Sequence, residues 1–108
     1  MEQSQVIQRI KEVGRQILPE GASLWLYGSR ARGDARPDSD YDLLILLDKD
    51  AITDHDYADY VYAMREMGWN MNEEINPHMY SRNEWNSWKC LPFHDNVESD
   101  KVVLQNKH

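Results

Sequence analysis

Apolar residues recur at helical spacing near the start of the chain. Val6, Ile7, Ile10, Val13, Ile17 and Leu18 stand among Gln, Lys, Glu and Arg, which predicts an amphipathic helix over residues 4–18. Pro19-Glu20-Gly21 ends it, and Ser23 to Tyr27 reads as a first strand. A short helix is predicted over residues 29–35, before Pro37-Asp38-Ser39 breaks it. The stretch from Asp40 to Leu47 then ends in an unbroken apolar run, the mark of a buried second strand.

The second half alternates in the same way. Asp54 is placed to cap a helix that runs to Met67 and closes at Gly68, with Tyr57, Val61 and Met64, joined by Tyr60 and Met67, as its buried stripe. His55 falls in its exposed first turn. Residues 70–80 read as a third strand, and Pro77 within it argues for an edge or a bulge. Ser81-Arg82-Asn83-Glu84 has capping-box spacing and should start a helix through Trp85, Trp88 and Lys89, ended by Leu91-Pro92-Phe93. A helical turn near residues 95–99, an edge strand over 101–104 and a loose tail at Asn106-Lys107-His108 complete the pattern. Trp85, Trp88 and Phe93 are expected to form a satellite core, a partner-facing patch being the other reading. The order of elements predicts an α/β (α+β) fold: one small mixed sheet of three or four strands, with helices packed on one face and a single domain over residues 1–108.

Composition narrows the function. Twelve basic against nineteen acidic residues give a net charge of −7, a poor field for a phosphate backbone, so nucleic acid is a disfavoured partner despite Arg30, Arg32 and Arg36. Cys90 is the only cysteine, which excludes an intrachain disulfide and a cysteine-built zinc site. There is no apolar run of membrane-spanning length and no signal peptide, and the expected compartment is the cytoplasm.

The chemistry concentrates between residues 24 and 47. Asp40 and Asp42 alternate along a strand, which puts both carboxylates on one face about 7 Å apart. A divalent cation is the usual solution to such repulsion, and oxygen ligands suit Mg²⁺ or Mn²⁺, with substrate phosphates completing the shell. Gly28 lets the chain turn sharply after the first strand. Ser29 offers a hydroxyl and an N–H where a helix begins, a favourable place for phosphate oxygens. Arg30 and Arg32 carry charge to hold or screen a polyphosphate. The pattern is neither a P-loop nor a dinucleotide fingerprint.

Gly28-Ser29-Arg30-Ala31-Arg32-Gly33 followed by Ser39-Asp40-Tyr41-Asp42-Leu43 resembles the signature of the DNA polymerase beta superfamily of nucleotidyltransferases, and in particular its minimal nucleotidyltransferase (MNT) branch. The resemblance implies metal-dependent transfer of a nucleoside monophosphate from an NTP, with ATP the expected donor, to an acceptor hydroxyl. It implies a metal held by Asp40 and Asp42, phosphates held by Gly28, Ser29, Arg30 and Arg32, and a third carboxylate on the third strand that serves a second metal. Glu73 and Glu74 are the candidates. Glu74 shares a strand face with Asn72, Asn76 and His78, whereas Glu73 goes with Ile75 and Met79, so Glu74 is favoured. An aspartate is more usual there. Larger relatives carry an acceptor-binding domain for which 108 residues leave no room. The acceptor site is then expected to be small, shared within a homo-oligomer or provided by another protein, and the resemblance implies a helical HEPN-type partner, as in toxin–antitoxin pairs. The alternative to an enzyme is an antitoxin-like module that neutralises such a partner by contact.

Overall fold

The computed structural model describes residues 2–106. In chain order the elements are α1 (Gln3–Ile17), β1 (Ser23–Tyr27), α2 (Ser29–Arg32), β2 (Tyr41–Leu47), α3 (Asp54–Asp56), a π-helical turn (Tyr57–Val61), α4 (Tyr62–Asn70), β3 (Ile75–Ser81), α5 (Arg82–Ser87), α6 (Pro92–Asp100) and β4 (Val102–Asn106). The strands form one mixed sheet in the order β3-β2-β1-β4. β1 runs antiparallel to both β2 and β4, while β2 and β3 are parallel and joined by the helical stretch 54–70, the crossover that a parallel pair requires.

The α/β class and the mixed sheet are as expected, but the helices are not confined to one face. Val6, Ile10 and Val13 of α1, with Met64 and Met67 of α4, pack on Leu24, Leu26, Leu43, Ile45, Leu47, Ile75 and Met79. The opposite face carries a smaller core in which Trp85 of α5 and Val97 of α6 cover Trp25, Leu44 and Leu46. Both faces of β2 are apolar after Asp42, so both need a cover. Trp85 is thus core as expected, and Phe93 lies at its rim, 38% exposed.

Local chemistry also moves several boundaries. The cap of the 54–70 stretch is Thr53, one residue before the expected Asp54. Thr53 Oγ1 accepts from the Asp56 N–H (3.2 Å), and Asp56 Oδ2 accepts from the Thr53 N–H (2.9 Å) and from Lys49 Nζ (2.8 Å). The π-helical turn inserts a residue into the helical phase, which leaves Tyr57 exposed while Val61, Met64 and Met67 remain buried. Gly68 does not end the helix. A β-carbon there would clash with Ile75 Cγ1 and lie 2.9 Å from the Glu73 carbonyl, so this glycine lets α4 approach the start of β3. Termination falls to Asn72, in the left-handed region at φ 57°. β3 consequently starts at Ile75, later than expected, and Pro77 sits on the edge strand where its missing N–H is tolerated.

The C-terminal segment is more ordered than its sequence suggests. Pro92, expected only to stop a helix, occupies the first turn of the nine-residue α6. Asn106, expected in a loose tail, lies in β4 and accepts through Oδ1 from the Ser23 hydroxyl (2.7 Å). Lys107 and His108, the rest of that tail, lie outside the described residues. Among the described residues no helix is long and apolar enough to cross a membrane.

Two outcomes follow for stability. Gly68→Ala should cost about 1–3 kcal/mol in urea unfolding, because Ile75 and the Glu73 carbonyl would have to move. The hydrogen bond from Lys49, reinforced by Thr53 and opposed by burial, holds the Asp56 carboxyl below its usual range. A carboxyl depressed in the fold stabilises above its unfolded pKa and loses that contribution as pH falls through the folded value. Urea midpoints should therefore decline below about pH 4, and Asp56→Asn should flatten that decline.

Candidate active site

The register of three strands sets out a small grid on one face of the sheet. Tyr27 of β1 pairs with Asp42 of β2, which pairs with Asn76 of β3; one row further in, Trp25, Leu44 and His78 are level. Asp42 therefore stands at the entrance of an apolar strand, with Tyr27 on one side and Asn76 on the other. Asn76 Nδ2 donates to Asp42 Oδ1 at 3.2 Å. Its second carboxylate oxygen lies against Gly28, where an added β-carbon would be 2.6 Å from Oδ2. Gly28 also has φ 75° and ψ −157°, a conformation that side chains other than glycine's scarcely tolerate. Backbone freedom and close approach thus coincide at this one residue.

The turn leads directly into α2, which begins at Ser29 and stops at Gly33 (φ 86°), short of the expected residue 35. Among the described residues the Ser29 hydroxyl and the Ser29 and Arg30 N–H groups have no hydrogen-bond partner, whereas the Ala31 and Arg32 N–H groups donate to the Gly28 carbonyl (both 3.0 Å). The hydroxyl and the two unpaired N–H groups are open to an oxyanion. Asp40 immediately precedes β2, is exposed, and shares the Asp42 face if the chain is extended across the two.

Burial, then the Asp42 carboxylate, then Tyr80 push the Tyr27 phenol well above its ordinary value. Tyr27 consequently remains a protonated, neutral donor next to Asp42 throughout the physiological range.

Arg30 and Arg32, expected on phosphates, are engaged elsewhere. Arg30 donates from Nε and Nη2 to the Ser39 carbonyl (3.2 and 2.9 Å), from Nη2 to the Pro37 carbonyl (3.1 Å) and from Nη1 to Gln3 Oε1 (3.3 Å). Its guanidinium also lies 4.3 Å from the centre of the Tyr41 ring. This set clamps the 34–40 loop and so fixes the approach to Asp40. Arg32 pairs with Asp100 (2.8 Å) and Asp34 (3.2 Å), tying α2 to the end of α6.

Glu74 is exposed and precedes β3, where its carbonyl accepts from the Tyr41 N–H (2.9 Å). The residue level with Asp42 is Asn76, which sequence reasoning passed over because the parallel register was not yet fixed. Among the described residues no three His, Cys, Asp or Glu side chains are gathered as a metal site. Two carboxylates flanked by a side-chain amide fit one hard cation that keeps waters and takes phosphate oxygens. Among the described residues a second metal has no carboxylate set of its own.

A cleft of about 680 Å³ lies at the other end of the strands, lined by Asp50, Tyr57, Tyr80, Ser81 and Glu84 among others. It contains acids and no base, which makes it a poor seat for a phosphate.

The model of the nucleotidyltransferase domain matches residues 7–103, nearly the whole chain. The chain belongs to the nucleotidyltransferase domain family. The assignment from Gly28-Ser29 and Asp40-Tyr41-Asp42 is therefore borne out. Three solved structures share the fold of this nucleotidyltransferase domain. A toxin–antitoxin structure with AMP-PNP aligns at a TM-score of 0.63 and 14% identity, over 93% of this chain and 73% of the other. A candidate nucleotidyltransferase from Sulfolobus solfataricus aligns at 0.61 and 21%, over 97% and 84%. A chain of the complex between a tri-AMPylated Shewanella oneidensis HEPN toxin and an MNT antitoxin aligns at 0.58 and 12%, over 97% and 73%. None of the curated proteins matches.

The contact at Gly28 is directly testable. Gly28→Ala should lower stability by about 1–3 kcal/mol in chemical denaturation, the cost of a side chain in that backbone region. It should also displace the Asp42 carboxylate. Unchanged stability would show that the turn relaxes freely.

Proposed function

We propose that this nucleotidyltransferase domain moves a nucleoside monophosphate, AMP in the first instance, from an NTP to an acceptor hydroxyl on a protein or small molecule in the cytoplasm. The observation that carries the reading is Asp42 at the mouth of β2, fixed by the Asn76 amide and seated against the turn at Gly28. Asp40 and Asp42 are the residues to hold Mg²⁺ or Mn²⁺, with Glu74 as the third candidate. A bound divalent cation supplies charge neutralisation and Lewis-acid polarisation of a phosphoryl oxygen.

The remaining work falls to the chain itself. The Asn76 amide restricts the Asp42 carboxylate, so little reorganisation is needed when a ligand arrives. The Ser29 hydroxyl and the Ser29 and Arg30 N–H groups supply donors for the leaving pyrophosphate. Arg30 contributes by position, since its bonds to Ser39 and Pro37 hold the chain that delivers Asp40.

One observation favours a second reading. An amide, which carries no charge, stands level with Asp42 where a carboxylate would serve a second metal. A domain so equipped could bind metal and nucleotide with little turnover, and act on a helical HEPN-type partner by contact. The kinship in fold with toxin–antitoxin structures supports a protein partner in either case, and a homo-oligomer would offer another shared acceptor site.

Labelling with NTPs carrying α-phosphate ³²P, Mg²⁺ or Mn²⁺ and an extract of the source cells separates the two. Label should reach a discrete acceptor and fall about a hundredfold or more with Asp42→Asn, the scale of losing a principal electrostatic partner. Glu74→Gln should produce a comparable loss if Glu74 is the third ligand. If wild type binds nucleotide but labels nothing in an extract shown to contain the partner, the contact-only module is the better account.

A further inference from the structure

The grid that places Asp42 also assembles a group of aromatic side chains directly behind it, and no step above uses them. Tyr27 shares the Asp42 row, and His78 stands one row further in on the neighbouring strand. Phe93, from the first turn of α6, lies over both. Its ring centre is 6.0 Å from that of Tyr27 and 6.3 Å from that of His78, both edge-to-face. Phe93 is 38% exposed although it is among the larger apolar residues, and Tyr27 and His78 are only half-buried. Deeper in, Trp85 is almost fully buried and closes the cluster from beneath. The rings are thus wall rather than core at the edge that faces the aspartates.

The polar atoms of this wall are uncommitted. Among the described residues neither the Tyr27 hydroxyl nor either nitrogen of the His78 ring has a hydrogen-bond partner. The combination is a partly exposed phenyl ring bordered by one phenol donor and one imidazole that can donate or accept. That is the chemistry of a site for a flat heteroaromatic ring whose edge carries donors and acceptors. Adjacent rows on one strand face are separated by about 7 Å. This is also the scale of the span from a nucleotide's α-phosphate to its base.

We propose that Phe93, His78 and Tyr27 form the seat of the donor nucleotide's base, with Phe93 as the stacking face and His78 and Tyr27 at the base edge. The inference rests on the reading of Gly28, Ser29 and Asp42 as the phosphate and metal end of the same nucleotide. Stacking of this kind accepts any base, so the seat contributes affinity and orientation, with preference among bases left to the two edge groups.

The two ends can be tested apart. Binding of AMP-PNP and of inorganic tripolyphosphate, each with Mg²⁺, would be measured by titration calorimetry on the full chain. Wild type should bind AMP-PNP about tenfold or more tightly than tripolyphosphate, the effect expected of one stacked base. Phe93→Ala should remove most of that difference and leave tripolyphosphate binding unchanged, while Phe93→Tyr should restore it. Phe93 packs edge to face on Tyr27, His78, Tyr80 and Trp85, so a thermal melt of each variant establishes that it is folded at the binding temperature. If Phe93→Ala leaves AMP-PNP affinity intact in a folded protein, the base lies elsewhere and the proposal is overturned, though the phosphate end stands. If tripolyphosphate fails to bind wild type at all while AMP-PNP binds, the phosphate reading fails instead. The outcome that neither ligand binds removes both.

Discussion

Gly28 and Asp42 approach one another so closely that a β-carbon at position 28 would lie 2.6 Å from the carboxylate and displace it. That single approach links two strands, a turn and a carboxylate. β1 ends in a region of φ and ψ that favours glycine, and α2 begins at the next residue. The antiparallel pairing of Tyr27 with Asp42 brings the turn to the right level, and the parallel pairing of Asp42 with Asn76 fixes the carboxylate from the other side. The helices exist, in effect, to hold those three strands in register. α1 and α4 seal one face with aliphatic and Met side chains, and α5 and α6 seal the other with Trp85 and Val97.

The acidic character of the site has a physical consequence. With Arg30 committed to the Ser39 and Pro37 carbonyls and Arg32 to Asp100 and Asp34, neither guanidinium is spare to meet a triphosphate. Under the proposed function, neutralisation of a triphosphate would then fall to a divalent cation brought with the nucleotide. The clamp by Arg30 also explains why an arginine at that position need not touch substrate to matter. Lysine could not reproduce its several donors in one plane.

Much of this was legible before any coordinates. The helical stripe of α1 and the apolar run of β2 depend on short-range patterns, and they stand as read. What could not be read depended on contacts between distant segments. Asn72 ends α4 because Gly68 is needed for the approach to Ile75, a fact of packing that a glycine in sequence does not declare. The π-helical turn at Tyr57–Val61 has no compositional mark. Arg30 and Arg32 carry the charge of phosphate ligands, but their partners are a loop folded back on them and the end of a helix sixty-eight residues later. Asn76 was missed for the clearest reason: strand alternation gives a face, whereas only the parallel register gives the level.

The central claim is that a metal-bearing nucleotide binds at the row formed by Tyr27, Asp42 and Asn76, next to the turn at Gly28. Paramagnetic broadening of amide resonances by Mn²⁺ with AMP-PNP, on uniformly ¹⁵N-labelled protein, tests it most directly. The account predicts that broadening is strongest at Gly28, Ser29, Asp40 to Asp42 and Asn76, and that it vanishes in Asp42→Asn. Broadening centred instead on Asp50, Ser81 and Glu84, at the cleft beyond the other end of the strands, would contradict it.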